Sequence, residues 1–587
     1  MSSNAQREDR SLRGSQSQAD DAVQREDRSL RGPQSRAARD RQSARSQAGF
    51  AAIDHVRPAL SHRQILLLMS GLMTGMLLAA LDQTIVGTAL PTIIGKLHGI
   101  EHYAWVVTAY LLASTASTPL YGKVSDLYGR RPVLLFAIGT FLVGSLLAGL
   151  SPNMNWLILT RGIQGLGAGG LMTLAFTIIS DVVPPRDRGR YQGLFGAVFG
   201  LSSVAGPLVG GYFADHDWRW IFYLNLPLGV FALFLCNQVL RLVPHHRREH
   251  RVDWLGALLL VAGVCCVLLG LSWGGKVYPW ASGQIIGLFV AGAVLTVMFL
   301  FAETLASEPI LPLRLFRRPT FTIANLAGFV VGFAMFGSII YVPLYLQIVK
   351  GSTPTASGLM LLPMMAGIIL TSVVSGRLIS RIGRYKWFPV GGTFVMALGL
   401  LMFTRLSVQT PLWASFIPMA VIGIGLGGAM QPLILAVQNA LDLRDMGIGT
   451  STATFFRSLG GSLGVAVLGA IMTNRLTVEL AAQFAKLPPP VRASAGAGGE
   501  VSINDPASIR HLPQLLRSAI ENGFVNALHP LFLVSAGVSL LAVLLCLALP
   551  DRELKGARPA AGGRRSLEEE SDEDAAAEME ARAATMI

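Results

Sequence analysis

The chain has 587 residues, of which 52% are apolar and only 14% are charged. A water-soluble chain of this length carries about a quarter charged residues, so the composition argues against an ordinary soluble fold. The net charge is +13, but the basic residues are scattered among short loops, which argues against a nucleic-acid surface.

In chain order, residues 1–63 are polar and Arg-rich, unlike a secretory signal peptide. They repeat Gln6-Arg7-Glu8-Asp9-Arg10-Ser11-Leu12-Arg13-Gly14 as Gln24 to Gly32. With almost no apolar content, this stretch is expected to be a disordered cytoplasmic tail.

A bilayer core of about 30 Å takes about 20 helical residues to cross. Fourteen apolar stretches of that size follow, near 65–90, 103–121, 133–150, 156–180, 191–214, 220–241, 254–275, 282–302, 320–348, 356–378, 387–404, 411–434, 448–473 and 529–549. Lys and Arg concentrate in every second loop, as at Arg186, Arg188 and Arg190 and at Arg314, Arg317 and Arg318. The positive-inside rule then makes those loops and both termini cytoplasmic. The net charge reports that topology and contact with anionic lipid heads.

Two Gly/Arg-rich turns punctuate the spans: Gly122-Lys123-Val124-Ser125-Asp126-Leu127-Tyr128-Gly129-Arg130-Arg131-Pro132, and Gly376-Arg377-Leu378-Ile379-Ser380-Arg381-Ile382-Gly383-Arg384-Tyr385. If the halves begin at spans one and nine, each turn follows the second span of its half. The expected fold is therefore an all-α membrane protein of two pseudo-symmetric six-helix bundles, 64–242 and 319–550, with two inserted helices at 254–303. Duplicated bundles of this kind are the usual build of secondary transporters. Only one outer segment is long, 475–528, and Leu512 to Leu528 is expected to form a short interfacial helix. The tail 551–587, with the acidic run Glu568 to Asp574, is expected to be disordered and cytoplasmic.

Asp82 is the only carboxylate well inside an apolar span. A charge there costs several kcal/mol, about 2.5–3.5 on the mildest scales. Burial disfavours the charged form of a carboxylate, which is the property a proton carrier needs. The alternative is a helix-end Asp that escapes to the outer interface. Arg161 is the natural partner: counting residues along spans one and four puts both at a depth of about 20–25 Å from the cytoplasmic face. Such a pair is either a coupling site or a static tie between spans one and four. Span five is rich in small residues (Gly193, Gly196, Gly200, Gly206, Gly210, Gly211, with Pro207), which let helices approach closely in lipid. Span thirteen has Gly460, Gly461 and Gly464, and it carries Arg457 near mid-membrane without an acidic partner in its own half. An anionic substrate group and a distant carboxylate are both open as its partner. The four cysteines, Cys236, Cys265, Cys266 and Cys546, all lie in apolar spans and make no metal-ligand pattern. No Gly-Lys pair precedes Ser or Thr, so a nucleotide-binding phosphate loop is not expected.

Four motifs together resemble one family. They are Leu81-Asp82-Gln83-Thr84-Ile85-Val86 with Ala89-Leu90-Pro91, the turn from Gly122 to Arg131, Arg161-Gly162 with Gln164-Gly165, and Gly200 with Gly206-Pro207 and Gly210-Gly211 followed by Trp218-Arg219-Trp220-Ile221-Phe222. In order and spacing they are similar to the major facilitator superfamily, and within it to the fourteen-span drug:proton antiporters of the QacA and EmrB type. The resemblance covers about 65–550. It implies proton-coupled export of amphipathic drugs or toxic compounds across the cytoplasmic membrane by a monomer, with no cofactor or metal. The alternative it leaves is a dedicated exporter of one physiological product such as an antibiotic, siderophore or lipid. Proton coupling falls on Asp82 and Arg161. A conformational latch falls on Asp126, Arg130, Arg131 and Asp181, with Ser380 standing where the second turn would carry its Asp. Antiporter packing falls on Gly200, Gly206, Pro207, Gly210 and Gly211. Candidates for the substrate cavity between the halves are Tyr110, Gln164, Asn325, Tyr341, Gln347, Gln431, Gln438 and Arg457, with Met364, Met365 and Met430 as adaptable apolar lining.

Overall fold

The structure, a computed structural model, describes residues 62–97, 103–241, 253–275, 277–306, 308–442, 445–489, 491 and 512–554. Every described residue belongs to one compact unit, His62–Ile587. The expectations for the tails and for the centre of the long outer segment lie outside the described residues.

The described chain is helical almost throughout. Its helices are α1 (His62–Leu97), α2 (Tyr103–Tyr128), α3 (Arg130–Gly149), α4 (Met154–Val182), α5 (Pro185–Asp215), α6 (Trp220–Tyr223), α7 (Asn225–Leu240), α8 (Trp254–Trp273), α9 (Gly283–Leu305), α10 (Pro319–Ile348), α11 (Pro354–Met360), α12 (Leu362–Ile382), α13 (Trp387–Phe403), α14 (Leu412–Ala440), α15 (Met446–Ala485) and α16 (Gln514–Leu547). Their ends follow local chemistry. Asn153 caps α4 by accepting from the Trp156 N–H at 2.9 Å, and Asp253 caps α8 by accepting from Gly256 N–H at 2.8 Å. Pro185 and Pro319 open α5 and α10, where a missing N–H costs nothing.

Among the described residues, twelve helices are long and apolar enough to cross a membrane. Helices also stand at the two other expected places. The Ser/Thr-rich α2 is long but more polar, and α13 is apolar but only 17 residues. The outer segment departs from expectation. Rather than a separate interfacial helix, 514–528 continues into the last span as α16, and α15 runs on to Ala485. Forty residues of α15 measure about 60 Å, twice a bilayer core. The apolar face expected to lie on lipid packs within the protein instead: Leu480, Leu516, Ile520 and Phe524 are buried, and Asn526 Nδ2 donates to Glu479 Oε2 at 3.2 Å.

The two Gly/Arg turns share a positive-φ glycine, though their ψ values differ, 153° at Gly129 and 4° at Gly383. Gly129 and Gly383 occupy matching places in them and both take positive φ, +94° and +78°, a backbone region that glycine enters without penalty. The leading glycines match too. Gly122 of α2 lies against Ser451 and Gly447 of α15, and Gly376 of α12 lies against the backbone of Gly189 in α5, each with no room for a Cβ. Each turn thus puts its helix in tight contact with a helix of the other half. One apolar core joins α10 through α16. A second core joins parts of α1 through α6. A third, from α8 and α9, packs on Ala116 of α2 and Phe455 of α15, so the α8–α9 pair covers the seam where those two helices meet.

Candidate functional site

Asp82 lies far from either end of α1 and is 1% exposed, as is Arg161 of α4. Arg161 Nη1 donates to Asp82 Oδ2 at 2.6 Å. Gln164, one turn along α4, donates from Nε2 to Asp82 Oδ1 at 2.8 Å, and Asn225 Nδ2 donates to the same oxygen at 3.2 Å. Ser145 Oγ accepts from both amides at 3.1 and 2.9 Å and donates to the Phe222 carbonyl at 2.9 Å. An ionised carboxylate is acceptor-only, and here both its oxygens meet donors. Removing one partner of such a buried pair costs about 3–5 kcal/mol, because a charge is left uncompensated.

Arg161 has other partners within reach. Nη1 also donates to Gln164 Oε1 at 2.7 Å, and Nε donates to the Val106 carbonyl at 3.4 Å. Its guanidinium carbon lies 4.2 Å from the centre of the Tyr110 ring, whose hydroxyl donates to the Ala79 carbonyl at 3.1 Å. Asn225 and Ser145 are not among the residues the sequence motifs mark. Asn225, a buried polar residue just past the Trp-Arg-Trp motif, offered a signal; Ser145, one of many small residues in span three, offered none.

Helix α5 is held by glycines on two sides. Gly206 and Gly210 press on Thr84 and Ile85 of α1, beside Asp82, and Thr84 Oγ1 donates to the Ser202 carbonyl at 3.0 Å. Gly193, Gly196 and Gly200 press instead on α12, against Ser372 and Ile369. A Cβ on Gly358 of α11 would touch Pro207 at 3.0 Å, and Gly211 is half-buried on α5. The glycine-rich helix therefore joins the carboxylate's helix to the opposite half.

At the end of the molecule that carries the first Gly/Arg turn, Arg130 Nη2 meets Asp126 Oδ1 at 2.5 Å and Nε meets Asp181 Oδ2 at 2.7 Å. Arg130 Nη1 also donates to Ser125 Oγ at 2.6 Å. The other Asp126 oxygen accepts from the Ile448 N–H at 3.0 Å, in the first turn of α15. A carboxylate at a helix N-terminus is favoured by the helix dipole, so Asp126 ties α2 to the opposite half. Arg131 is not brought into this cluster; it donates to Asn237 Oδ1 of α7 at 3.1 and 2.8 Å. Lys123 pairs with Glu308, just beyond α9, at 2.6 Å. Gln192 Nε2 of α5 donates to Gln438 Oε1 of α14 at 2.8 Å.

The cavity candidates are dispersed. Tyr110 and Gln164 belong to the Asp82 network, and Gln438 belongs to the α5–α14 contact. Gln347 Nε2 donates to Ser357 Oγ at 2.9 Å, joining α10 to the start of the next span. Asn325, Tyr341 and Gln431 are buried in α10 and α14, and Met364 and Met365 are buried in the carboxyl-terminal core. Arg457 and Met430 line one small cavity between α10, α14 and α15.

The described residues thus combine twelve helices long and apolar enough to cross a membrane with a buried ion pair among them. Residues 72–465 match the family model of the Major Facilitator Superfamily, and the chain belongs to that family. It is similar to the multidrug transporter protein MdtP of Bacillus subtilis, 39% identical over 79% of this chain and 89% of that protein. It is also similar to multidrug resistance protein 3 of the same species, 36% identical over 83% of this chain and 95% of that protein. Among solved structures, the human organic anion transporter MFSD10 shares the fold, with a TM-score of 0.56 at 14% identity over 83% of this chain and all of that one. The protein is a multi-pass membrane transporter whose relatives include multidrug efflux proteins.

Proposed function

We propose that this chain is a proton-coupled antiporter of the fourteen-span drug-exporting type, moving amphipathic compounds out across the cytoplasmic membrane by alternating access. In this reading α2 and α13 also cross the bilayer, and α8 and α9 are the insertion between two six-helix bundles. Both tails are cytoplasmic, and the monomer is the working unit. The observation that carries the proposal is the Asp82–Arg161 pair, buried among Gln164, Asn225 and Ser145.

A proton arriving on Asp82 removes the charge that holds Arg161. The guanidinium then keeps the Gln164 oxygen, the Val106 carbonyl and the Tyr110 ring as partners, so it is not stranded. Asp82 sits in α1 against Gly206 and Gly210 of α5, and α5 continues to α12 through Gly193, Gly196 and Gly200. Movement at the carboxylate is thereby passed to a contact between halves. The cluster of Asp126, Arg130 and Asp181 holds the cytoplasmic ends together in one state and releases them in the other. Arg131 steadies the same turn from α7. Substrate binds between the halves near the midplane, where Asn325, Tyr341, Gln347, Gln431, Gln438 and Arg457 are the polar candidates.

The test is uptake of a fluorescent amphipathic dye into inside-out vesicles under an imposed pH gradient, acid inside. Accumulation against the dye gradient that collapses when the pH gradient is dissipated is the expected result. Dye movement indifferent to the pH gradient contradicts the coupling.

A further inference from the structure

In the amino-terminal half the buried Arg161 is ion-paired and hydrogen-bonded. The buried arginine of span thirteen, Arg457, is not. Arg457 is 8% exposed, and its Nη1 is buried with no hydrogen-bond partner. Among the described residues no carboxylate forms an ion pair with it. It sits 11 residues into α15, about 16 Å from that helix's first residue, within a helix long and apolar enough to cross a membrane. Gly332 against the Arg457 backbone, and Gly460 and Gly464 against the backbones of Phe329 and Phe333, keep α10 and α15 in close backbone contact at Arg457 and over the next two turns. An isolated guanidinium in such a place costs several kcal/mol unless an anion joins it.

The side chain borders a cavity of about 10 Å³, walled otherwise by apolar groups such as Gly328, Val331, Met430, Leu433 and Ala453. That is space for one water-sized particle. A single compact anion, or the oxygens of one carboxylate, matches a site with one cationic donor and greasy walls. Met430, unbranched and flexible, and Gly328, without a side chain, are walls that yield to a larger body.

We propose that Arg457 and this cavity form a site for a monovalent anionic group. The occupant is either a small inorganic anion such as chloride or the carboxylate of an amphipathic substrate. The second source rests on the export reading above; the first does not. The test uses the purified full chain in detergent, followed by thermal unfolding, since a ligand bound to the folded state raises Tm by mass action. Sodium chloride is titrated against sodium gluconate at constant ionic strength. Separately, in gluconate, a dansylated eleven-carbon carboxylic acid is compared with its methyl ester. Wild type is expected to rise in Tm by at least 3 °C with chloride, or with the acid and not the ester. Arg457→Gln is expected to lose that response and Arg457→Lys to keep part of it. Ala453→Phe retains the arginine and fills the cavity, so it is expected to lose the response as well, even if Arg457→Gln does not fold. A wild type indifferent to both anions overturns the proposal, as does an anion response that survives in Arg457→Gln or Ala453→Phe. Because nothing is transported in this assay, loss of the export reading would leave its outcome intact.

Discussion

The contact of Asp126 with α15 makes a quantitative claim about switching. Replacing Asp126 by Asn keeps the shape and removes the charge. Arg130 retains Asp181 at 2.7 Å and Ser125 at 2.6 Å, so it is not left unpaired and the fold is expected to hold. What is lost across the joint is the charged acceptor of the Ile448 N–H in the first turn of α15; the bond to Arg130, four residues along the same turn, is lost equally in both states. Hydrogen bonds to charged groups contribute about 1.5–3 kcal/mol, and a carboxylate at a helix N-terminus adds about 0.3–1. With the low end of both taken, the joined state loses about 2 kcal/mol, close to a thirtyfold change in the ratio of joined to separated states. The assay is maleimide labelling in inside-out vesicles of a chain whose four native cysteines are replaced and whose Gln192 is made Cys. Gln192 is buried against Gln438 in the joined state, so its labelling rate reports separation. Asp126→Asn is expected to raise that rate by at least tenfold and to lower transport, with unchanged amounts in the membrane. An unchanged labelling rate with unimpaired transport would refute the reasoning and make Asp126 an ordinary turn residue.

The remaining predictions concern other contacts. Gly376→Val forces a side chain into the Gly189 backbone, so it is expected to keep the two halves from closing at that end; transport should fall and Gln192→Cys labelling should rise, and normal values of both would refute the crossing. Asn225→Ala removes the longer of the two donors to Asp82 Oδ1 and leaves Gln164 at 2.8 Å, so it is expected to cost about 1.5–3 kcal/mol, the contribution of one hydrogen bond to a charged group, read as a lower unfolding temperature; no change would place Asn225 outside the network. The Lys123–Glu308 pair at 2.6 Å is expected to survive a charge swap, so Lys123→Glu with Glu308→Lys should recover transport lost in either single variant. Cysteine at Ala495 is expected to react with an impermeant reagent in intact cells while cysteines in either tail do not; the reverse pattern would contradict the fourteen-span orientation.

Much of this organisation was legible because membrane helices leave long apolar runs, and because an intramembrane charge demands a partner. The pairing of Asp82 with Arg161 could be read from depth alone, since two helices crossing the same slab place residues at calculable heights. Asn225 and Ser145 could not, because amides and hydroxyls are common in transporter spans and their meeting depends on helix rotation. Helix rotation is likewise why Arg131, expected in the latch with Asp126, Arg130 and Asp181, faces Asn237 instead, and why the cavity candidates lie among separate contacts. The run from 512 to 528 has an apolar face that suits a membrane surface as well as a partner helix; only the folded chain shows that Leu480 and its neighbours cover it. The paired turns carried more than their residue types suggested, since Gly122 and Gly376 mark where each half presses on the other.

In the proposed mechanism Asp82 is the group that binds and releases the coupled proton. The direct measurement is pH-gradient-driven dye uptake into inside-out vesicles by Asp82→Asn, alongside Arg161→Gln and the double variant. The amide keeps hydrogen-bonding capacity but cannot titrate, so Asp82→Asn is expected to abolish gradient-driven uptake while the protein stays in the membrane. The double variant should remain inactive. Active uptake restored in the double variant would mark the two residues as a structural ion pair, and uptake that survives in Asp82→Asn alone would contradict the central claim outright.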